Sequence, residues 1–128
     1  MHNDPSLAEL IAAVRGFIDG LSSQDLTGHT RFNARVASNV LAIALREIEQ
    51  RPKAERDEIA RLADLLGVPE EDKTLPDLNT DLIDKIRKGV LDETNPKLLA
   101  HLKATAIAQL NVDQPSYSGL TVNKENDR

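Results

Sequence analysis

Hydrophobic residues recur at helical spacing through most of the chain, and no segment alternates in the manner of a strand. Leu7, Leu10, Ile11, Val14, Phe17, Ile18 and Leu21 mark a first amphipathic helix, which Asp4 can cap with Pro5 at its first position. Turn formers between Leu21 and Gly28 separate it from a second helix over about residues 30–50, for which Thr27 or Thr30 is the cap. At about 100° per residue, Phe32, Val36, Ala37, Val40, Leu41, Ile43, Ala44, Leu45 and Ile48 span roughly 220° of that helix. Such a wide apolar arc predicts a central helix touched on several sides. Its remaining strip holds Arg31, Arg35, Ser38, Ala42, Arg46 and Glu49, with Asn39 at the edge.

Pro52 is expected to end this element, because proline lacks the helical N–H and crowds the preceding turn. A third helix follows over Lys53 to Leu66, with Ile59, Leu62, Ala63 and Leu66 inward, Asp57 and Arg61 spaced as a surface pair, and Gly67 as its stop. A fourth, from about Asp77 to Lys88 and ended by Gly89, points Leu78, Leu82, Ile83 and Ile86 inward. Thr94-Asn95-Pro96, a cap followed by proline at the first turn, opens a fifth, which runs to about Leu110 with Leu98, Leu99, Leu102, Ala106 and Leu110 on its apolar side. The predicted fold is all-α: one domain over residues 1–115, an antiparallel bundle of about five helices around the helix at about 30–50. Residues 116–128 form a tail that is flexible towards its end, with the Tyr117 ring packed back on the bundle.

Composition narrows the class of function. Of 128 residues 40% are hydrophobic and 29% charged, which suits one soluble domain. Aromatic residues make up only 2%, so no stacking platform for single-stranded nucleic acid is expected, and a net charge of -5 works against a duplex-DNA surface. The chain has no cysteine, which removes disulfides, thiolate metal sites and cysteine nucleophiles. No run approaches the length of a membrane span, and Met1-His2-Asn3-Asp4 does not open a signal peptide. A cytoplasmic protein without nucleic-acid or membrane partners is expected.

No known catalytic or metal-binding motif is complete. Asp77-Leu78-Asn79-Thr80-Asp81 opens like a calcium loop, but Leu82 replaces the required glycine and Lys88 the bidentate glutamate. Asp77, Asp81 and Asp84 then read as a solvated helix face. His2, His29 and His101 are far apart and form no H-E-x-x-H or Glu-x-x-His pair, the glycines have no phosphate-loop spacing, and no serine sits in a nucleophile elbow. Neither a metal, a cofactor nor a catalytic residue is expected. What remains is a basic cluster: Arg31, Arg35 and Asn39 recur every four residues near the start of the second helix, with His29 just before them. Two guanidiniums near a helix N-terminus can hold a phosphate or carboxylate, and His101 would join them if it faced that helix. The alternative is structural, with the arginines paired to acids such as Glu47 or Asp113 and His101 a buried, hydrogen-bonded side chain.

The run Arg31-Phe32-Asn33-Ala34-Arg35-Val36-Ala37-Ser38-Asn39-Val40-Leu41-Ala42-Ile43 is one of three segments that carry a family resemblance, together with His101-Leu102-Lys103-Ala104-Thr105 and Val112-Asp113-Gln114-Pro115-Ser116-Tyr117. The chain resembles a family of small all-helical bacterial proteins classed as a domain of unknown function. The resemblance implies a bacterial setting, and a gene often placed beside acyl-CoA dehydrogenases and phosphotransferases similar to aminoglycoside kinases. It implies no catalytic residue. Three functions fit these readings. The first is a non-catalytic accessory protein of acyl-CoA or carboxylic-acid catabolism, with a neighbouring acyl-CoA dehydrogenase or phosphotransferase, or a second copy of the chain, as partner. The second is a module that binds a phosphorylated, acyl-CoA or carboxylate ligand at Arg31, Arg35, Asn39, His29 and His101. The third is an enzyme with His101 or His29 as base.

Overall fold

A computed structural model of the chain describes residues 5–22 and 26–121, which contain helices and no strand. In order these are α1 (Leu7–Ser22), α2 (Gly28–Leu66), α3 (Leu75–Arg87) and α4 (Pro96–Asp113), followed by a single helical turn over residues 118–121. The expected all-α class is what the chain adopts. Its residues divide into two compact units, Met1–Arg51 and Pro52–Arg128.

Pro52 does not end a helix. α2 runs through it for 39 residues and merges the second and third predicted helices. Proline forfeits one backbone hydrogen bond and strains the preceding turn, a cost that flanking interactions can offset. Two ion pairs one turn apart flank it, Arg51 Nη1 to Glu47 Oε1 at 3.3 Å and Lys53 Nζ to Asp57 Oδ2 at 2.5 Å. Both are exposed pairs at the i,i+4 spacing that supports a helix. Asp57 therefore pairs with Lys53 rather than with Arg61, whose guanidinium turns to Thr105 instead. Five helical segments remain among the described residues, but the fifth is the turn at 118–121, inside the stretch expected to be tail.

In the first unit, Ser6 caps α1. Its hydroxyl accepts from the Glu9 N–H at 3.2 Å while its own N–H donates to Glu9 Oε2 at 2.7 Å, a reciprocal capping box. Asp4 lies outside the described residues. Between 28 and 51, α2 does not behave as an enclosed helix: only Ser38 and Ala42 are buried there. Leu7, Leu10, Val14 and Phe17 of α1, with Phe32, Val36 and Val40 of α2, are 44–69% exposed. The reason is geometric, since one neighbouring helix covers a stripe on the order of 100° wide and the apolar arc is about twice that.

The second unit holds the leucine core. Leu62 from α2, Leu78 and Leu82 from α3, Leu91 from the connection and Leu98 from α4 pack together, ringed by Ile59, Leu65, Leu66, Val68 and Leu75. Local signals set the ends of these helices. Thr74 and Asp77 form a capping box on α3, and Asn95 Oδ1 accepts from the Leu98 N–H at 3.0 Å to start α4. Gly67 (φ 68°) and Gly89 (φ 70°) turn the chain into the left-handed region after α2 and α3. Val68 N–H and Val90 N–H then reach back to the carbonyls of Ala63 and Lys85, closing the two helix ends.

Several predicted inward residues face out. Ile83 and Ile86 on α3 and Leu99 and Leu102 on α4 are exposed, while His101 and Val112 are buried on α4. Apolar side chains surround α4, so their periodicity does not select a face. Leu91 and Leu120, neither of which the helical pattern picks out, are buried. Tyr117 stays half exposed, with its ring over Gly119, where an added Cβ would lie 2.5 Å from Cε1.

Truncating Leu62 to alanine should cost about 2–5 kcal/mol in urea unfolding, whereas Ile83→Ala should stay within about 0.5 kcal/mol of wild type. Equal losses at the two positions would contradict the core assigned here.

Candidate functional site

The most developed polar feature of the first unit is an open cleft of about 560 Å³. Arg15 and Asp19 of α1 line it together with Phe32, Arg35, Val36 and Asn39 of α2, over Ser38. Arg15 and Asp19 stand one helical turn apart, off the apolar stripe of α1. Their side chains close a small network around the buried Ser38 hydroxyl, which donates to Asp19 Oδ1 at 2.5 Å and accepts from Arg15 Nε at 3.4 Å. The Arg15 and Asp19 charges are 3.9 Å apart. Arg15 is thus partly neutralised within the hairpin.

Arg35 is not. It and Asn39 stand in the cleft without a hydrogen bond or ion pair among the described residues. The acids suggested as structural partners are engaged elsewhere, Glu47 with Arg51 and Asp113 with Gln109. Arg31 and His29 are exposed and do not line the cleft. α2 begins at Gly28, so Arg35 lies beyond the first turn, where the helix dipole has little effect. The predicted constellation therefore reduces to Arg35 and Asn39, joined by Arg15, Asp19 and Ser38. The i,i+4 spacing of Arg15 and Asp19 was the available sequence signal for the added residues.

His101 belongs to the second unit, and its surroundings are different. It is 3% exposed, on the inward side of α4. The arginine near it is Arg61, whose Nη2 donates to Thr105 Oγ1 at 3.3 Å one turn along from His101. His101 Nδ1 and Arg61 Nε are buried and have no hydrogen-bond partner among the described residues. Burial pushes the His101 pKa below its ordinary 6.5, the positive charge of Arg61 pushes the same way, and Glu58 opposes them. A neutral, enclosed imidazole beside a cation is poorly placed to collect protons from a substrate. Among the described residues, no group of three or more His, Asp or Glu side chains could hold a metal, and no helix is long and apolar enough to cross a membrane.

A family model described as "Domain of unknown function (DUF6285)" matches residues 24–117, and the chain belongs to that family. The match begins after α1 and takes in α2, α3 and α4. No curated protein and no solved structure matches the chain.

The lowered His101 pKa has a defined consequence for stability. The unfolded chain binds a proton at this residue more readily than the folded one, so its contribution is complete above pH about 6.5 and is lost as pH falls below that. Urea midpoints should drop between pH about 7 and about 5, above the main carboxylate range, and His101→Met should flatten that slope. An unchanged slope in the variant would contradict the assignment.

Proposed function

We propose that this family member is a non-catalytic accessory protein of the bacterial cytoplasm whose N-terminal hairpin docks another protein chain. The observation that carries this reading is the pair of apolar rows on the first unit, Leu7, Leu10, Val14 and Phe17 on α1 and Phe32, Val36 and Val40 on α2. Scattered exposed hydrophobics are ordinary, but seven large ones on a unit with no large buried side chain among its described residues mark a surface suited to being covered. The second unit also exposes Ile83, Ile86, Leu99 and Leu102, but these surround a leucine core of its own, which the first unit does not have among its described residues. The enzymes such a protein would serve are those of acyl-CoA or carboxylic-acid catabolism, an expectation that rests on the family resemblance.

Charging the rows tests the reading. In extracts of cells producing the protein at native level, wild type should migrate in an assembly larger than the monomer, and Phe17→Asp with Phe32→Asp should return it to monomer size. A monomeric wild type under those conditions removes the support for docking.

The cleft favours a second reading, binding of a small anion with an apolar body. Arg35 and Asn39 supply donors for a carboxylate or phosphate, and Phe32 and Val36 supply the apolar wall. Titration calorimetry with inorganic phosphate and with butyrate should then show salt-sensitive binding that Arg35→Gln weakens about tenfold or more. Equal heats for wild type and variant would discard this reading.

A further inference from the structure

We infer that the chain docked on the N-terminal hairpin is a second copy of this protein, so that two hairpins join into one four-helix assembly. The inference rests on the docking reading above and names its partner. Area is the first support. An aromatic side chain presents about 150–250 Å² and an aliphatic one less, so the seven residues expose on the order of 700 Å², close to the roughly 800 Å² each partner buries in a stable interface. One hairpin of this size therefore suffices to cover another.

The second support is the absence of an independent core. Among the described residues of the first unit only Ser38 and Ala42 are buried, and two helices with no large enclosed side chain are marginal on their own. Such a hairpin needs cover from the time it folds. A second copy is made in equal amount wherever the first is made, and closed two-fold pairs are the commonest protein assemblies.

Charge is the third. α1 carries Glu9 and Asp19 against Arg15, whereas α2 from residue 28 to 45 carries Arg31 and Arg35 and no acid. In a two-fold pair with α1 of one copy along α2 of the other, the acidic helix meets the basic one twice, and neither meets its own kind. An unrelated partner would have to supply that pattern separately.

Sedimentation equilibrium of the purified full-length chain tests the inference. At micromolar concentration the mass should be twice 14.1 kDa. Phe17→Asp with Phe32→Asp should raise the dissociation constant about a hundredfold by burying uncompensated charge, while Leu99→Asp, on the second unit, should leave it unchanged. Should the charged variants lose helix by circular dichroism, a second measurement decides. The chain has no cysteine, so Val14→Cys reports the cover of α1 by its alkylation rate. That rate should fall about tenfold as the concentration of the purified chain rises through its dissociation constant, and Leu99→Cys should not respond. A monomer with concentration-independent alkylation overturns self-association. If the wild type is nevertheless in a larger assembly in cell extracts, the docking reading stands with a different occupant. A dimer lost only with Leu99→Asp places the contact on the other unit and overturns the inference as well.

Discussion

A helix can be covered by one neighbour only over a limited arc, and this limit organises the protein. Through residues 32–48, α2 carries apolar side chains over roughly 220° of its surface. The first unit offers it a single helical neighbour, α1. Ser38 and Ala42 become buried, and Phe32, Val36 and Val40 do not. Beyond Pro52 the same helix is better supplied, because α3, α4 and the connection at Leu91 bring leucines around Leu62. One continuous helix thus runs from a segment with no large buried side chain among its described residues into one that contributes to a leucine core.

The two units differ in how their polar and apolar groups are used. The second unit has features expected of an independently stable body, namely capped helix starts, left-handed glycines after two helices and a closed leucine cluster. His101 fits this role: it is enclosed, shifted towards neutrality and placed near Arg61 rather than in an open site. The first unit holds an open cleft, an arginine in it with no partner among the described residues, and two apolar rows. Phe32 and Val36 belong both to the cleft and to the rows, so a ligand in the cleft would meet side chains that a partner on the rows would also meet.

The sequence reading located the basic cluster but grouped it by chain position. Arg31 and Arg35 are one turn apart, yet only Arg35 reaches the cleft, and the residues that complete the site, Arg15 and Asp19, come from a different helix. His101 joins these arginines only if it faces the helix at about 30–50, which its spacing cannot tell. Its arginine is instead Arg61, which the sequence offered as a partner for Asp57. Spacing within a helix identifies side chains that share a face; it does not say which other helix that face will meet.

Local chemistry by itself determined the all-helical class, the starts of α3 and α4 at Thr74 and Asn95 to within a few residues, and the glycine ends at Gly67 and Gly89. These depend on side chains and backbone conformations within one turn, and the chain carries them wherever it goes. Only the tertiary structure decided that α2 continues through Pro52, that Leu91 and Leu120 are buried, and that Leu99 faces out while His101 faces in. A proline's cost can be outweighed by its surroundings, and a helix with apolar residues on all sides has no preferred face until its neighbours choose one.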